Sequence, residues 1–391
     1  MRKYMDLNQA CDEHFLAFNP LNMKVSNDPE HDPSKEGLDS MFYIPQEIGV
    51  LVQENGDVDF SYYAPNAECV EVAGNGGKMG TERHKLTKCE DGFHRGTVSG
   101  IPAGFHIHKY FVDGVQLANK FAPIGYGTFT PINFFEKPAE NDDFYYIKDV
   151  PHGSVHMELY KSSVTGRMKC CYVYAPPGYD TSKKHYPVTY LQHGATENET
   201  GWIWHGKINF ILDNLLSEGK CEEMLVVMNC GYGFIGEESP EFLPGDFDKE
   251  LAEDCIPYID EKYRTIKTRE GRAVAGLSLG SAQAFYAALK HRDLYSSLGM
   301  FSGGLPLVRA NWDYTEFFED ADLVNNNFKL LHLGVGEQEG FYQHTLDVCK
   351  DFDERGIRYR FYSCPGYHEW DVWKRCFQDF ALAVFKEEEE K

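Results

Sequence analysis

After His156 the chain alternates uninterrupted apolar runs with amphipathic segments, and this alternation restricts its fold more than any other feature. The runs "CCYVYAPP", "VTYLQHG", "MLVVMNCG", "RAVAG", "SLGMFSG" and "KLLHLGVG" are separated by helical segments such as "KINFILDNLLSEG", "FDKELAEDCIPYIDEKY", "SAQAFYAALKHRD" and "FQDFALAVFKEEE". A strand with no polar alternation must be covered on both faces, and strands joined through helices run parallel. The expected fold is therefore α/β, a doubly wound and mostly parallel sheet with helices on both faces.

The first third has another texture. From "GDVDFSYYAP" through "IPAGFHIHKYFVDGVQL", short alternating runs rich in Val, Phe and Tyr are broken by Gly, Asn and Asp turns, the pattern of a small antiparallel sandwich. A chain of 391 residues that is 42% hydrophobic can bury two cores. The expected division is a β module with its leading segment over 1–122, a linker over 123–149 that holds three prolines and the polar "AENDD", and the α/β domain over 150–391.

Charge narrows the partners. A net charge of −23, from 61 acidic and 38 basic residues, repels phosphate backbones and anionic lipid, so neither nucleic acid nor a membrane is expected as a partner. The opening "MRKYMDLNQACDEHF" has acidic residues where a signal peptide needs its apolar region, and eleven cysteines are scattered without CxxC spacing. Both features lead to the expectation of a cytoplasmic protein with reduced thiols. A homo-oligomer is compatible with the sequence.

Within the buried run "RAVAG" and the helical "SAQAFYAALK" lies Gly276-Leu277-Ser278-Leu279-Gly280. A G-x-S-x-G between a strand and a helix can form a sharp turn that pushes the serine outward at the carboxyl end of a sheet, and its glycines allow the close approach of strand and helix. The bland alternative is a glycine-rich turn capped by an ordinary serine. A nucleophilic serine needs a base, and in this fold the partners follow in the order acid, then histidine. Glu337 and Glu339 follow the strand "KLLHLGVG", and His368 follows "IRYRFYSCPG". His368 is the expected general base and Glu339 the expected orienting acid, with Glu337 in reserve. The N–H groups of Leu279 and Ala195 are the expected oxyanion donors, Ala195 lying in the loop "QHGATENETGW", with Thr196 next in line.

The ordered segments "PPGYD", "YPVTYLQHGATENETGWIWHGKINFILDNLL", "FDKELAEDCIPYIDEKYR", "RAVAGLSLGS" and "PGYHEWDVW" resemble the feruloyl esterase-like branch of the esterase D superfamily. This α/β-hydrolase group includes carbohydrate esterase family one. The first third is similar to the early-set immunoglobulin-like module that often precedes such domains. The resemblance implies ester hydrolysis through an acyl-enzyme on Ser278 with His368 as base. Two positions depart from the family: Ala195-Thr196 stands where relatives commonly carry glycines, and Glu339 where aspartate is more usual.

For the substrate, all five tryptophans lie in the second part, and Trp202, Trp204 and Trp370 sit in or beside the proposed site loops. They are the expected flat walls for an aromatic acyl group such as a cinnamoyl unit. The expected substrates are feruloyl or other hydroxycinnamoyl esters of sugars or small alcohols. The alternatives are a siderophore trilactone, an acetylated sugar, or a catalytically silent carbohydrate-binding protein. The spacings His106-x-His108 and His152 with His156 lack a third ligand, and the glycines of "AGNGGKMG" precede no helix, so neither a metal nor another cofactor is expected.

Overall fold

The computed structural model describes residues 49–139, 142–232, 246–303 and 315–386. The leading segment before residue 49, Trp312 and the acidic tail beyond residue 386 lie outside the described residues. The chain divides into two compact units between Asp143 and Phe144.

The first unit is built from β1 (Val50–Val52), β2 (Val58–Tyr63), β3 (Val70–Gly74), β4 (His84–Lys88), β5 (Phe93–Val98), β6 (Gly104–Val112), β7 (Val115–Leu117), β8 (Ile124–Gly127) and β9 (Thr130–Lys137). The strands follow the order β1-β2-β5-β4-β3-β6-β9-β8, with β7 on β6, and every pair is antiparallel. Phe60 on β2 and Tyr110 on β6 have three strands between them along this path, yet their rings meet edge-on at 6.4 Å. The sheet therefore curls back on itself around one core that includes Val58, Phe60, Val72, Tyr110 and Phe135. His106 and His108 share the inward face of β6 with Tyr110. One meets the Pro102 carbonyl at 2.8 Å, and burial pushes the imidazole of the other down to about 3, keeping it neutral among the aromatic rings.

The linker expected over 123–149 is corrected here, because β8 and β9 fall inside it and β9 pairs with β6 along Gly104–His108. Pro131 is tolerated near the start of β9, and the polar Asn133 is satisfied by holding the Asn119 backbone through both its amide groups.

The second unit carries β10 (Ser154–Lys161), β11 (Met168–Ala175), β12 (Val188–Gln192), β13 (Leu225–Asn229), β14 (Arg272–Leu277), β15 (Ser297–Phe301), β16 (Leu330–Gly336) and β17 (Arg360–Cys364). Their order is β10-β11-β13-β12-β14-β15-β16-β17. Strands β12 through β17 pair in parallel, and only β10, β11 and β13 make antiparallel contacts. Strands β12 to β15 are buried at every residue, as strands covered on both faces must be. One face packs on Phe247, Ile256, Ala284 and Phe285, and on Phe352 of α4 (Tyr342–Arg355). The other packs on α1 (Gly201–Trp204), α2 (Ile208–Ser217) and α5 (Trp370–Ala381), through rings that include Trp202, Phe301, Phe377 and Phe380. The doubly wound, mostly parallel α/β architecture is thus present.

Strand order changes direction at β12, whose neighbours are β13 on one side and β14 on the other. A crevice opens at the carboxyl ends of strands at such a switch point. Three loops leave the sheet near it: those after β12, β14 and β16. The far end of α5 is tied to β16 and β17, where Asp379 accepts from Arg360 at 2.7 and 2.6 Å and from His332 at 3.0 Å. Burial alone would raise this carboxyl, but those hydrogen bonds outweigh it and hold it at about 2. Among the described residues no helix is long and apolar enough to cross a membrane.

Candidate active site

Ser278 directly follows β14 and caps α3 (Leu279–Lys290). Its backbone has φ 51° and ψ −117°, a sparsely populated conformation for a residue with a side chain. The surrounding glycines explain how it is enforced. A Cβ at Gly276 would overlap the Gly280 carbonyl and stand 3.0 Å from the Gln192 Cβ, and one at Gly280 would overlap the His193 carbonyl oxygen. The Ser278 N–H donates to the Phe301 carbonyl at 2.8 Å, so β15 holds the turn from its other side. Only glycine lets strand and helix approach closely enough for the hydroxyl to project.

His368 lies between β17 and α5 with Nε2 2.9 Å from Ser278 Oγ and Nδ1 2.6 Å from Glu339 Oε2. The second oxygen of Glu339 accepts the Gly336 N–H at 2.8 Å, and its side chain is fully buried while that of His368 is 37% exposed. Water therefore cannot compete for the Nδ1 bond, and the ring is held with Nε2 toward the serine. The acid loop and the histidine loop are laced together: the Glu337 N–H donates to the Cys364 carbonyl at 2.9 Å and the Gln338 N–H to the Gly366 carbonyl at 3.0 Å. Phe341 and Trp373 flank the His368 ring, with centroids 5.5 and 5.0 Å away.

Glu337, the reserve acid, instead accepts from the Ser363 hydroxyl at 3.1 Å. Glu339→Ala is expected to lower kcat by about 10²- to 10⁴-fold, whereas Glu337→Ala stays within about threefold of wild type, both read from steady-state ester hydrolysis. Equal losses in the two variants would reject this assignment.

The loop after β12 lies beside the serine. Gly194 is close enough that an added Cβ would stand 3.5 Å from the Ser278 Cβ. Burial pushes the His193 imidazole below its ordinary value. The ring is neutral, donating from Nδ1 to the Gly194 carbonyl at 2.8 Å and accepting the Gly231 N–H at Nε2 at 2.9 Å. Thr196 takes φ 68°, a conformation costly for a β-branched residue and easy for the glycine more usual there. Its N–H is already given to the Tyr232 hydroxyl at 2.8 Å. Leu279 stands directly after the serine at the first turn of α3, where N–H groups lack helical acceptors.

The tryptophan walls are not where the loop positions suggested. Trp202 is 0% and Trp370 2% exposed. Their indoles donate inward, to the Gln192 carbonyl at 2.8 Å and to Glu197 Oε1 at 3.1 Å. Such sealed rings support the site rather than line it. Trp204 is half-buried on the same short helix. Sequence reasoning passed over Tyr232, Glu197, Phe341 and Trp373. Trp373 alone carried a readable signal, since it follows Trp370 by three residues and shares its helix face.

The family model described as "Putative esterase" matches residues 162–382. The endo-1,4-beta-xylanase/feruloyl esterase of Xylanibacter ruminicola is 31% identical over 96% of this chain and 51% of its own length. Endo-1,4-beta-xylanase Y of Acetivibrio thermocellus is 29% identical over 40% of this chain and 15% of its own. The chain thus spans about half, or less, of these curated relatives. Among solved structures, a ferulic acid esterase from Anaeromyces mucronatus in complex with ferulic acid matches 63% of this chain and 96% of its own, at TM-score 0.55 and 24% identity. An enterobactin esterase from Shigella flexneri matches 87% of this chain and 96% of its own, at TM-score 0.64 and 12% identity. These two likenesses establish a shared fold.

Proposed function

The chain belongs to the esterase family whose model spans residues 162–382, and from that membership we propose that it is a serine esterase hydrolysing feruloyl or related hydroxycinnamoyl esters of sugars or small alcohols. One observation carries the chemistry: an unbroken hydrogen-bonded line from the Glu339 carboxylate through His368 to Ser278, on a strained turn at the carboxyl ends of parallel strands. The preference for a hydroxycinnamoyl group rests on the identity to the xylanase/feruloyl esterase along nearly the whole chain.

Ser278 Oγ attacks the ester carbonyl carbon while its proton passes to His368 Nε2. Glu339 stabilises the resulting imidazolium and keeps the ring oriented. The N–H groups of Leu279 and Ala195 receive the oxyanion. Collapse of the tetrahedral species breaks the bond to the alcohol, which leaves with the proton from His368. Water, deprotonated by the same nitrogen, then attacks the acyl-enzyme and releases the carboxylic acid and Ser278. No cofactor enters this cycle. The first unit is read as an early-set immunoglobulin-like module, supported by its antiparallel strands and shared core. A reducing, cytoplasmic setting is proposed from cysteines scattered along the sequence without CxxC spacing.

The test is kcat/KM for methyl ferulate beside 4-nitrophenyl acetate, with wild type and Ser278→Ala. Ser278-dependent turnover of ferulate is the expected result. Cleavage of the acetate alone would move the substrate to small acyl groups, and turnover of neither would reject the esterase reading.

A further inference from the structure

The loop after β12 and the loop after β17 each carry part of the catalytic geometry, and one buried side chain joins them. Glu197 follows Ala195 by two residues, and Trp370 follows His368 by two. The Glu197 carboxyl accepts the Trp370 indole N–H at 3.1 Å and is itself 8% exposed. Its other oxygen lies 3.6 Å from Nδ1 of the buried His205. Space for the carboxyl exists because residue 201, at the start of α1, is glycine: a Cβ there would overlap Glu197 Oε2 and stand 3.3 Å from the Trp370 ring.

From this joint the packing runs directly to the base. Trp202 meets Trp370 edge-on at 5.3 Å, Trp370 meets Trp373 edge-on at 5.2 Å, and Trp373 meets the His368 ring edge-on at 5.0 Å. Aromatic pairs of this geometry resist rotation of either ring, since a turned ring loses its edge-to-face alignment. The first indole is fixed to the sheet through the Gln192 carbonyl at the end of β12. The second indole, besides this edge-to-face packing, is anchored by its N–H, which points to Glu197.

We propose that Glu197 is a positioning residue: by accepting the Trp370 N–H it ties the loop bearing Ala195 to the loop bearing His368, and so holds the base at hydrogen-bond distance from Ser278. The proposal rests on the esterase reading. It gives a charged-type residue in a buried loop a task that core packing alone does not require, because a leucine would fill the same space without bridging the two loops.

The experiment compares kcat, KM and melting temperature on methyl ferulate or 4-nitrophenyl acetate for wild type, Ser278→Ala, Glu197→Gln, Glu197→Leu, Trp370→Phe and the Glu197→Leu/Trp370→Phe double variant. Glutamine keeps a carbonyl acceptor, so Glu197→Gln should stay within about threefold of wild type. Glu197→Leu and Trp370→Phe should each lower kcat by about 10- to 100-fold with KM little changed, the size expected when a base is displaced by a fraction of an ångström. The double variant should lose no more than the worse single one, since both remove the same bond. A folded Glu197→Leu with wild-type kcat, a loss of melting temperature without loss of kcat, or losses that multiply in the double variant would each overturn the proposal. Wild type without Ser278-dependent turnover would overturn the esterase reading itself, and this role with it.

Discussion

Ser278→Ala is expected to lower kcat for ester hydrolysis by about 10⁴-fold or more while leaving the melting temperature nearly unchanged, and His368→Ala is expected to do the same. The reason is that neither residue acts alone. Ser278 Oγ and His368 Nε2 stand 2.9 Å apart and, in the proposed cycle, exchange one proton in each half, so removing either removes the covalent path. What survives is the oxyanion site and substrate binding, worth a small residue of the full acceleration. The double variant should therefore be no slower than the single ones by more than about threefold. Stability should be spared because Ser278 is only half-buried and His368 is more than a third exposed. A fluorophosphonate probe should label wild type and fail on Ser278→Ala. Retention of a tenth of the activity in either variant would remove the serine mechanism.

How much of this was legible beforehand depends on how local each constraint is. The turn at Ser278 could be read because its glycines answer to atoms a few residues away in sequence or on the adjoining strand. His368 and Glu339 could be placed because the parallel strands before them are continuous apolar runs, whose ends mark where loops converge. By contrast, β8 and β9 were hidden. The hairpin between them turns through Thr128 and Phe129, both at positive φ, where Asn or Gly would have announced a turn. The roles of Trp202 and Trp370 were unreadable for a different reason: whether a ring in a loop faces a crevice or the core depends on the strand it meets, here the end of β12. Glu197 was one acid among 61 acidic residues, and nothing in its neighbours shows that its partner lies 173 positions away.

The largest effect on the scaffold is expected from Gly280→Ala, a change of one methyl group on a buried helix turn. A Cβ at this position would overlap the carbonyl oxygen of His193 and stand 2.7 Å from that of Gln192. Both obstacles are backbone atoms of β12 and the loop that leaves it, so no side chain can swing aside. Either α3 must retreat from the sheet or the end of β12 must bend. Overpacking of a well-filled interior usually costs about 1 to 3 kcal/mol, and a backbone obstacle puts this case at or above the upper end, equivalent to a fall in melting temperature of roughly 6 to 12 °C for a domain of this size. The same displacement moves His193, and with it Ala195, relative to Ser278, so kcat should also fall by about 100-fold in the protein that remains folded. Gly340→Ala supplies the contrast: an added Cβ there meets nothing within 4 Å, and its melting temperature and kcat should match wild type although it adjoins the orienting acid. If Gly280→Ala proved as stable and as active as Gly340→Ala, the close contact between α3 and β12 could not be what shapes the serine turn.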